Sequence, residues 1–300
     1  MSSPPPRALE TVLLTAVALS AFAFNSILTR LALGRGLIGA AGFTAVRLSA
    51  GALVLTGLVR LSAGSWRPLR GGGLAGPLAL FAYAAPFSFA YLRIGAATGA
   101  LVLFGTVQLT MIGWGVARGE RPGARTWVGL LLAATGLAAL ALPSASRPDP
   151  LGMLLMVVAG AAWAAYSLLG RQAPAPLAAN ARAFLWSAPL ALLLGAVTYD
   201  PVAASAGGLL LAGVSGAVTS GLGYAIWYRA LRGLAATQAA IAQLGVPVIA
   251  AAAAALLLGE PVGLRLAWSG LLVIGGVALA LTPAGRAAAP AGRSSPRWRG

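Results

Sequence analysis

Polar side chains interrupt the long apolar runs of this sequence, and four of them could bind a polar solute: Asn25, Arg47, Gln108 and Gln243. Arg47 and Gln108 lie near the middle of their runs, Gln243 lies at a comparable depth, and Asn25 lies toward the end of the first run. A zwitterion that crosses hydrocarbon must meet dipoles or charges that replace its water, because an unpaired polar group in an apolar medium is costly. A guanidinium could bind a carboxylate, and an amide could both donate and accept hydrogen bonds. These residues could therefore recognise a polar solute inside a membrane.

Each of these side chains also has a structural interpretation. Arg47 could extend toward the membrane surface or bind free carbonyl groups of a neighbouring helix, and we prefer this role to direct contact with a substrate. For Gln108, Gln243 and Asn25 the alternative is hydrogen bonding between helices, worth about 0.6 kcal/mol on average in membranes. For these three the sequence favours neither interpretation.

Aromatic side chains recur at helical spacing in three places, namely Tyr83 with Phe87, Trp163 with Tyr166, and Tyr224 with Trp227 and Tyr228. Residues three or four apart share a helix face, so each group could line a cavity for an apolar or aromatic solute. The alternative is packing within the bundle. We favour the cavity for Tyr83, Trp163 and Tyr166, and we assign Trp227 and Tyr228 to an aromatic belt at the membrane boundary.

Acidic residues are few and avoid the middle of the apolar runs. Glu10, Glu120 and Glu260 lie near the ends of runs, and Asp149 and Asp200 fall in loops. Cysteine and histidine are absent from the sequence, so thiolate metal sites and cysteine nucleophiles are excluded. The usual side-chain sets of an intramembrane enzyme are missing as well. We expect no enzyme activity, no metal and no cofactor, and we expect passive export or exchange without a carboxylate proton carrier at mid-depth.

The composition predicts an integral membrane protein. Of the 300 residues, 59% are hydrophobic and 9% are charged, whereas about a quarter of a soluble domain is charged. The net charge of +16 comes from arginines that lie between the apolar runs rather than along one face. Nucleic acid is therefore not expected as a partner. The expected partners are a small-molecule substrate and the lipid bilayer, and a monomer is compatible with these features.

Ten apolar runs are long enough to be considered as membrane spans. They fall at roughly 9 to 31, 38 to 59, 74 to 92, 96 to 117, 126 to 142, 151 to 169, 183 to 198, 208 to 228, 235 to 257 and 264 to 282. The first run imitates a signal peptide, but we interpret it as a span because nine more runs follow. Three prolines lie inside runs and are expected to kink their helices: Pro86, Pro189 and Pro247.

The chain contains an internal repeat. Residues 92 to 100 and 231 to 239 share Leu, Arg, Ala, Ala, Thr and Ala at a constant offset of 139, and both following runs close on a Gly-Glu pair. Residues 22 to 30 and 163 to 171 match more weakly at an offset of 141. Five spans in each half is an odd number, so the second half must be inverted relative to the first. Inverted repeats are a transporter architecture with a substrate site between the halves.

The arginines predict an orientation. With a cytoplasmic N-terminus, 15 arginines fall on the inner side and 5 on the outer side, with Arg47 inside a span. The positive-inside rule therefore favours cytoplasmic N- and C-termini. The predicted organisation is an N-terminal segment (1 to 8), a first five-helix repeat (9 to 142), a linker (143 to 150), an inverted second repeat (151 to 282) and a basic flexible tail (283 to 300).

One set of residues resembles the repeat signature of the EamA-type branch of the drug/metabolite transporter superfamily. The set comprises Tyr228-Arg229-Ala230-Leu231-Arg232, Ala236-Thr237, Pro247 and Gly259-Glu260-Pro261. The resemblance spans about residues 9 to 282, and Gln108 departs from it because it stands where the repeat partner has Pro247. Residues 101 to 110 are most similar to the YddG group, whose members export aromatic and other neutral amino acids.

The resemblance implies an all-α integral membrane fold of ten helices in two inverted five-helix repeats. It also implies a transporter of the bacterial inner membrane that exports aromatic and other neutral amino acids, or similar metabolites, by alternating access. The alternatives are a channel-like facilitator and an exporter of drugs or other metabolites. The predicted cavity residues are Asn25, Arg47, Tyr83, Phe87, Gln108, Trp163, Tyr166, Tyr224 and Gln243.

Overall fold

The computed structural model of the chain describes residues 6–94, 96–141, 149–198, 202–258 and 264–282. Regular secondary structure in these ranges is helical. The α-helices are α1 (Ala8–Gly34), α2 (Ala40–Ala63), α3 (Ala75–Tyr91), α4 (Ala96–Ala117), α5 (Ala124–Ala141), α6 (Pro150–Arg171), α7 (Pro176–Val197), α8 (Ala206–Val214), α9 (Gly223–Leu231), α10 (Ala236–Ala242), α11 (Gly245–Leu258) and α12 (Leu264–Leu281). Several predicted features lie outside the described residues. They are residues 143 to 148 of the linker, the tail (283 to 300), Asp200 and Glu260.

Seven helices within the described residues are long and apolar enough to cross a membrane. They are Ala8–Gly34, Ala40–Ala63, Thr98–Ala117, Pro150–Arg171, Pro176–Val197, Ala206–Leu231 and Ala236–Ala253. Ala124–Leu140 and Ala267–Leu281 are shorter apolar helices. Large apolar side chains such as Leu53, Leu109 and Leu193 are exposed on the outside of the bundle, where lipid takes the place of a protein core. The chain is therefore a multi-pass membrane protein.

Local sequence explains where several helices begin. The carboxylate of Asp149 accepts hydrogen bonds from the backbone N–H groups of Leu151 and Gly152 at 2.8 and 3.1 Å. Pro150 then occupies the first helical position, where its missing N–H costs nothing. Ser205 caps α8 in the same way, accepting from the backbone N–H of Gly208 at 3.0 Å.

The last helices of the two predicted repeats, α5 and α12, pack closely in antiparallel orientation. A Cβ atom on Gly129 would lie 2.5 Å from the Gly276 carbonyl oxygen, and a Cβ atom on Gly276 would lie 2.5 Å from the Gly129 oxygen. A Cβ atom on Gly136 would lie 2.8 Å from the Ser269 carbonyl oxygen. Gly136 is seven residues after Gly129, and Ser269 is seven residues before Gly276, so the two helices run in opposite directions. Only glycine allows this backbone approach.

The second helices of the two predicted repeats, α2 and α7, also run antiparallel. A Cβ atom on Gly51 would overlap the Phe184 ring, whereas one on Gly195 would lie 3.6 Å from the Ala45 methyl group. The residue number of the contact on α7 therefore increases as that of the contact on α2 decreases, which is the pattern of antiparallel helices. Around these two pairs, α1 packs on α9 and α3 packs on α6.

Two segments depart from regular α-helix. Between α8 and α9, Ser215–Leu222 is wound as a π-helix, so that Ala206–Leu231 remains continuous. Between α10 and α11 the helix is broken at Gln243 and Leu244, just before Pro247. Pro86 and Pro189 lie within the uninterrupted helices α3 and α7.

Ion pairs mark the two ends of the bundle. Arg93, after α3, pairs with Asp149, before α6, at 3.2 Å, and we call this the Arg93 end. At the opposite end Glu10 of α1 pairs with Arg229 of α9 at 2.5 Å. Glu120, after α4, lies at this second end, which we call the Glu120 end.

One aromatic assignment is wrong. Trp227 and Tyr228 are 0% and 2% exposed, so they do not form a belt at the membrane boundary. The indole N–H of Trp227 donates to Ser167 Oγ at 3.1 Å, and the Tyr228 hydroxyl donates to the Tyr166 carbonyl at 3.0 Å. Both side chains instead join α9 to α6.

Candidate functional site

A cavity of about 510 Å³ lies between helices from both halves of the chain. Its lining residues come from α1, α3, α4 and α5 and from α6, α9, α11 and the break that precedes α11. It extends from the middle of the bundle toward the Arg93 end, where Arg30 and Tyr91 line it. Its volume is within the usual range for small-molecule sites.

Aromatic rings form the inner wall of this cavity. Trp163 is at the centre, with ring centroids 5.3 Å from Phe22, 4.9 Å from Tyr83 and 4.7 Å from Tyr224. Phe87 extends the wall, with its centroid 5.4 Å from that of Tyr83. The edge-to-face and tilted geometries are those that aromatic quadrupoles favour. The wall offers rigid apolar and π surface to a bound solute.

Two of the ring contacts join residues at the repeat spacing. Phe22 and Trp163 are separated by 141 positions, as are Tyr83 and Tyr224. Both pairs are in contact, at centroid distances of 5.3 and 6.5 Å. Each contact joins a residue of the first half of the chain to a residue of the second half, so the cavity wall lies where the two halves meet.

A polar strip of the cavity wall is held by side-chain amides. The indole N–H of Trp163 donates to Gln243 Oε1 at 2.5 Å, and Gln243 Nε2 donates to the Ala239 carbonyl at 3.1 Å. Asn25 Oδ1 accepts from the hydroxyl of Ser215 at 2.6 Å. Both amides line the cavity, so the site combines an aromatic surface with fixed dipoles.

Arg47 does not line the cavity but lies directly behind its wall. The side chain is 0% exposed. Its Nε donates to Ser220 Oγ at 2.9 Å and its Nη2 donates to the Tyr224 hydroxyl at 2.5 Å. The guanidinium also lies over the Tyr83 ring, 5.5 Å from the centroid, within the range of a cation–π contact.

Gln108 and Tyr166, both predicted as cavity residues, also lie outside the lining. Gln108 Nε2 donates to the Ala240 carbonyl at 2.6 Å, which ties α4 to α10. The Tyr166 hydroxyl donates to Asn180 Oδ1, and Asn180 Nδ2 donates to the Gly221 carbonyl at 2.9 Å. These side chains hold helices together. Of the three predicted kink residues, Pro247 lines the cavity and Pro86 and Pro189 do not.

Sequence reasoning missed the small polar residues of the π-helical segment. Ser215 and Ser220 contact Asn25 and Arg47, and a Cβ atom on Gly216 would lie 2.0 Å from the Arg47 carbonyl oxygen. The signal was the run of Ser, Gly and Thr between residues 215 and 223 in an otherwise large apolar span. π-Helical turns inside α-helices occur frequently at functional sites.

Glu120, which follows α4, is hydrogen-bonded to the start of α10 at the Glu120 end of the bundle. Its carboxylate accepts from the backbone N–H groups of Ala236 and Thr237 at 2.8 and 3.1 Å, and from Thr237 Oγ1 at 2.9 Å. Arg171 Nη2 lies 3.6 Å away. Partial burial alone would raise the pKa of Glu120, but these hydrogen bonds and the charge of Arg171 outweigh burial and lower the pKa.

A multi-pass bundle with a central solute-sized cavity built from both of its halves is the arrangement expected of a membrane transporter. Comparison with known proteins supports this class. Residues 150–282 match the model of the EamA-like transporter family. An uncharacterized transporter of Archaeoglobus fulgidus is 30% identical over 237 residues, which cover 74% of this chain and 78% of the relative. The chain belongs to the EamA-like transporter family, and it is a membrane solute transporter of the drug/metabolite transporter superfamily.

Two further proteins are similar over most of the chain. An uncharacterized protein of Pseudomonas aeruginosa is 50% identical over 280 residues, which cover 93% of this chain and 97% of the relative. A solved crystal structure superposes with a TM-score of 0.79 at 20% sequence identity, over 92% of this chain and 97% of that one. At that identity the structural likeness concerns the fold alone.

Proposed function

We propose that this transporter moves aromatic and other neutral amino acids, in the direction of export, through the cavity around Trp163. The observation that carries this proposal is the composition of the cavity wall. Rings from α1, α3, α6 and α9 provide an apolar surface for a side chain, and the amides of Asn25 and Gln243 provide dipoles for a polar head.

The proposed mechanism is alternating access between two inverted five-helix repeats. Two features support the inversion: equivalent helices α5 and α12, and α2 and α7, contact each other in antiparallel orientation, and equivalent aromatic residues touch in the cavity wall. We propose ten spans with both termini in the cytoplasm of a bacterial cell, so that the Glu120 end is the inner end.

The predicted site residues take two roles in this proposal. Side chains that line the cavity would contact the substrate, and these are Asn25, Tyr83, Phe87, Trp163, Tyr224 and Gln243. Arg47, Gln108 and Tyr166 would hold the wall in place through the hydrogen bonds described above. Pro247 would keep the helix open beside Gln243.

A carrier is favoured over a channel because the cavity lining stops short of the Glu120 end. There the bonds of Glu120 to α10 hold the bundle together. The coupling proposal is passive exchange. A proton-driven flux that is lost on replacement of Glu10, Glu120 or Glu260 singly would overturn that part.

The test is counterflow in proteoliposomes. Vesicles loaded with unlabelled phenylalanine should accumulate external labelled phenylalanine transiently, and Trp, Met, Leu and Thr should compete. Trp163→Ala should abolish this accumulation, whereas Trp268→Ala should preserve it because Trp268 is 62% exposed on the outside of α12. If none of the five amino acids is exchanged by the wild-type protein, the amino acid assignment is wrong.

A further inference from the structure

Arg47 is a buried charge whose described partners are neutral. Its guanidinium contacts the hydroxyl groups of Ser220 and Tyr224 and the face of the Tyr83 ring. Within the described ranges its Nη1 atom has no hydrogen-bond partner, and no carboxylate there forms an ion pair with it. A charge in this position costs free energy unless an opposite charge approaches it.

The contact with Tyr224 fixes the direction of a hydrogen bond. A guanidinium can only donate, so at 2.5 Å the Tyr224 oxygen must accept from Arg47 Nη2. The phenolic proton of Tyr224 must then point away from Arg47. The Tyr83 hydroxyl lies 3.5 Å away, at the limit of hydrogen-bond length, and the Ser220 hydroxyl, which also contacts Tyr224, already accepts from Arg47 Nε. Since Tyr224 lines the cavity, its proton is available to an acceptor bound there.

The charges around the cavity also favour an anionic group as the ligand. Its lining includes one charged side chain, Arg30, and no carboxylate among the described residues. Arg47 lies behind the wall, in a region of low dielectric where its field is poorly screened. An anionic group beside Tyr224 and Tyr83 would be attracted by this field, and a cation would be repelled. Arg47 also occupies one face of the Tyr83 ring, where an organic cation could otherwise bind.

We propose that the cavity recognises the carboxylate of its substrate through the Tyr224 hydroxyl, with Arg47 as the positioning residue that orients this donor and supplies the compensating charge. This inference deepens the function proposed above and rests on it for the rest of the substrate. It defines the substrate class as carboxylates with an apolar or aromatic body, whether anionic or zwitterionic. It excludes organic cations that lack a carboxylate.

The test compares two ligands of the same shape, 3-phenylpropionate and 3-phenylpropionamide, by titration calorimetry on the purified protein in detergent. Wild-type protein should bind the carboxylate at least about tenfold more tightly, as expected for a hydrogen bond to a charged group in a buried site. Arg47→Gln and Tyr224→Phe should each remove this preference, so that binding of the carboxylate weakens by a clearly larger factor than binding of the amide, whose carbonyl loses at most one neutral hydrogen bond. Arg47→Lys should retain part of it, since the charge remains.

The matched control is Tyr228→Phe, which removes another buried phenol of α9 that bonds the Tyr166 carbonyl rather than the cavity. It should keep the full preference for the carboxylate. If Arg47→Gln does not fold, Tyr224→Phe still decides the question. Parallel loss of both ligands in the variants, or no preference in the wild-type protein, overturns the inference.

The two proposals can fail separately. A wild-type protein that prefers 3-phenylpropionate but does not exchange amino acids supports the carboxylate site and refutes the amino acid assignment. If the protein exchanges phenylalanine but its Arg47 and Tyr224 variants lose both test ligands equally, the amino acid assignment is supported and the carboxylate site is refuted. Phenethylamine, which carries a cation and no carboxylate, should bind at least about tenfold more weakly than 3-phenylpropionate.

Discussion

The two copies of the repeated segment have the same sequence signature but different backbones. Within the first copy, residues 92 to 120, Ala96–Ala117 forms one uninterrupted helix, α4. Within the second copy, residues 231 to 260, Ala236–Ala242 and Gly245–Leu258 form α10 and α11, with a break at Gln243 and Leu244. Gln108 in the first copy stands where the second has Pro247, at the repeat offset of 139.

Proline explains the break, because it has no N–H to donate to the carbonyl four residues before it. The Gln243 carbonyl accepts instead from the N–H of Val246 at 3.1 Å, and the N–H of Leu244 turns to the Ile241 carbonyl at 3.0 Å. Leu244 therefore does not use the Ala240 carbonyl, which accepts from the backbone N–H of Gln243 at 3.1 Å and also from Gln108 Nε2 at 2.6 Å. Glu120 of the first copy also binds the first N–H groups of α10. The continuous copy supplies hydrogen-bonding groups that the broken copy lacks.

Placing proline at position 108 of the first copy, as at position 247 of the second, should lower the free energy of unfolding more than any other variant considered. Gln108→Pro removes a backbone donor in the middle of α4 and also the donor to Ala240, so it should cost about 3 kcal/mol or more in the free energy of unfolding. Gln108→Leu, which keeps the backbone donor, should cost about 1 kcal/mol. Denaturant unfolding in detergent measures both. Equal losses would show that α4 does not depend on its continuity.

Removing the carboxylate of Glu120 should have the next largest effect. Glu120→Ala loses charge-assisted hydrogen bonds at the start of α10 and should cost about 2 kcal/mol at pH 7. The pKa of Glu120 is lowered in the folded protein, so its contribution is complete above the ordinary carboxylate pKa and is lost as the pH falls through the lowered value.

The measurement is the difference in unfolding free energy between the wild-type protein and Glu120→Gln as a function of pH. This difference should stay constant from pH 7 to about pH 5 and should shrink only in more acidic solution. A difference in unfolding free energy that grows as the pH falls would contradict a lowered pKa of Glu120 in the folded protein.

Making the second copy like the first should affect binding more than stability. Pro247→Ala restores a donor near the break, and the free energy of unfolding should change by less than about 1 kcal/mol. Because Gln243 would then be drawn into a regular helical turn and away from Trp163, the KM for phenylalanine exchange should rise several-fold. Pro189→Ala serves as the control, since Pro189 lies within α7 and away from the cavity. An unchanged KM in Pro247→Ala would separate the break from substrate binding.

The smallest effects distinguish two equivalent threonines. Thr237 Oγ1 donates to Glu120 at 2.9 Å, whereas Thr98 Oγ1, at the same place in the first copy, is buried and has no hydrogen-bond partner among the described residues. Thr237→Ala should cost about 1 kcal/mol, and Thr98→Ala should be neutral or slightly stabilising. Thermal unfolding of the two variants side by side checks this, and a larger loss for Thr98→Ala would be the contrary result.

The sequence predicted the membrane class and most helix positions because apolar run length is a strong local signal. The run at 96 to 117, for example, coincides with α4. It predicted one span at 235 to 257 and missed the break, although Pro247 was recognised as a kink. The π-helical winding of Ser215–Leu222 was also missed. That winding depends on contacts with α1 and α2, which a single span does not encode.

The cavity was predicted less completely than the helices, because spacing gives a shared face but not the direction of that face. Trp163 and Tyr166 are about 60° apart around a helix, so Trp163 lines the cavity while Tyr166 binds Asn180. Arg47 lies in α2 and is fully buried. Its partners Ser220 and Tyr224 lie 173 and 177 positions away, and nothing in the sequence around residue 47 specifies them.

Gly129 and Gly276 bring two backbones into direct contact at the junction of α5 and α12. The small side chains of Ala133 and Ala280 flank this contact, so few atoms need to repack when one helix tilts against the other, but pulling the helices apart would open an empty gap. This junction is suited to act as a fulcrum. Displacement increases with distance from the point of rotation, and this junction lies near the start of α5 and the end of α12, so a small rotation there would produce its largest displacement at the Arg93 end.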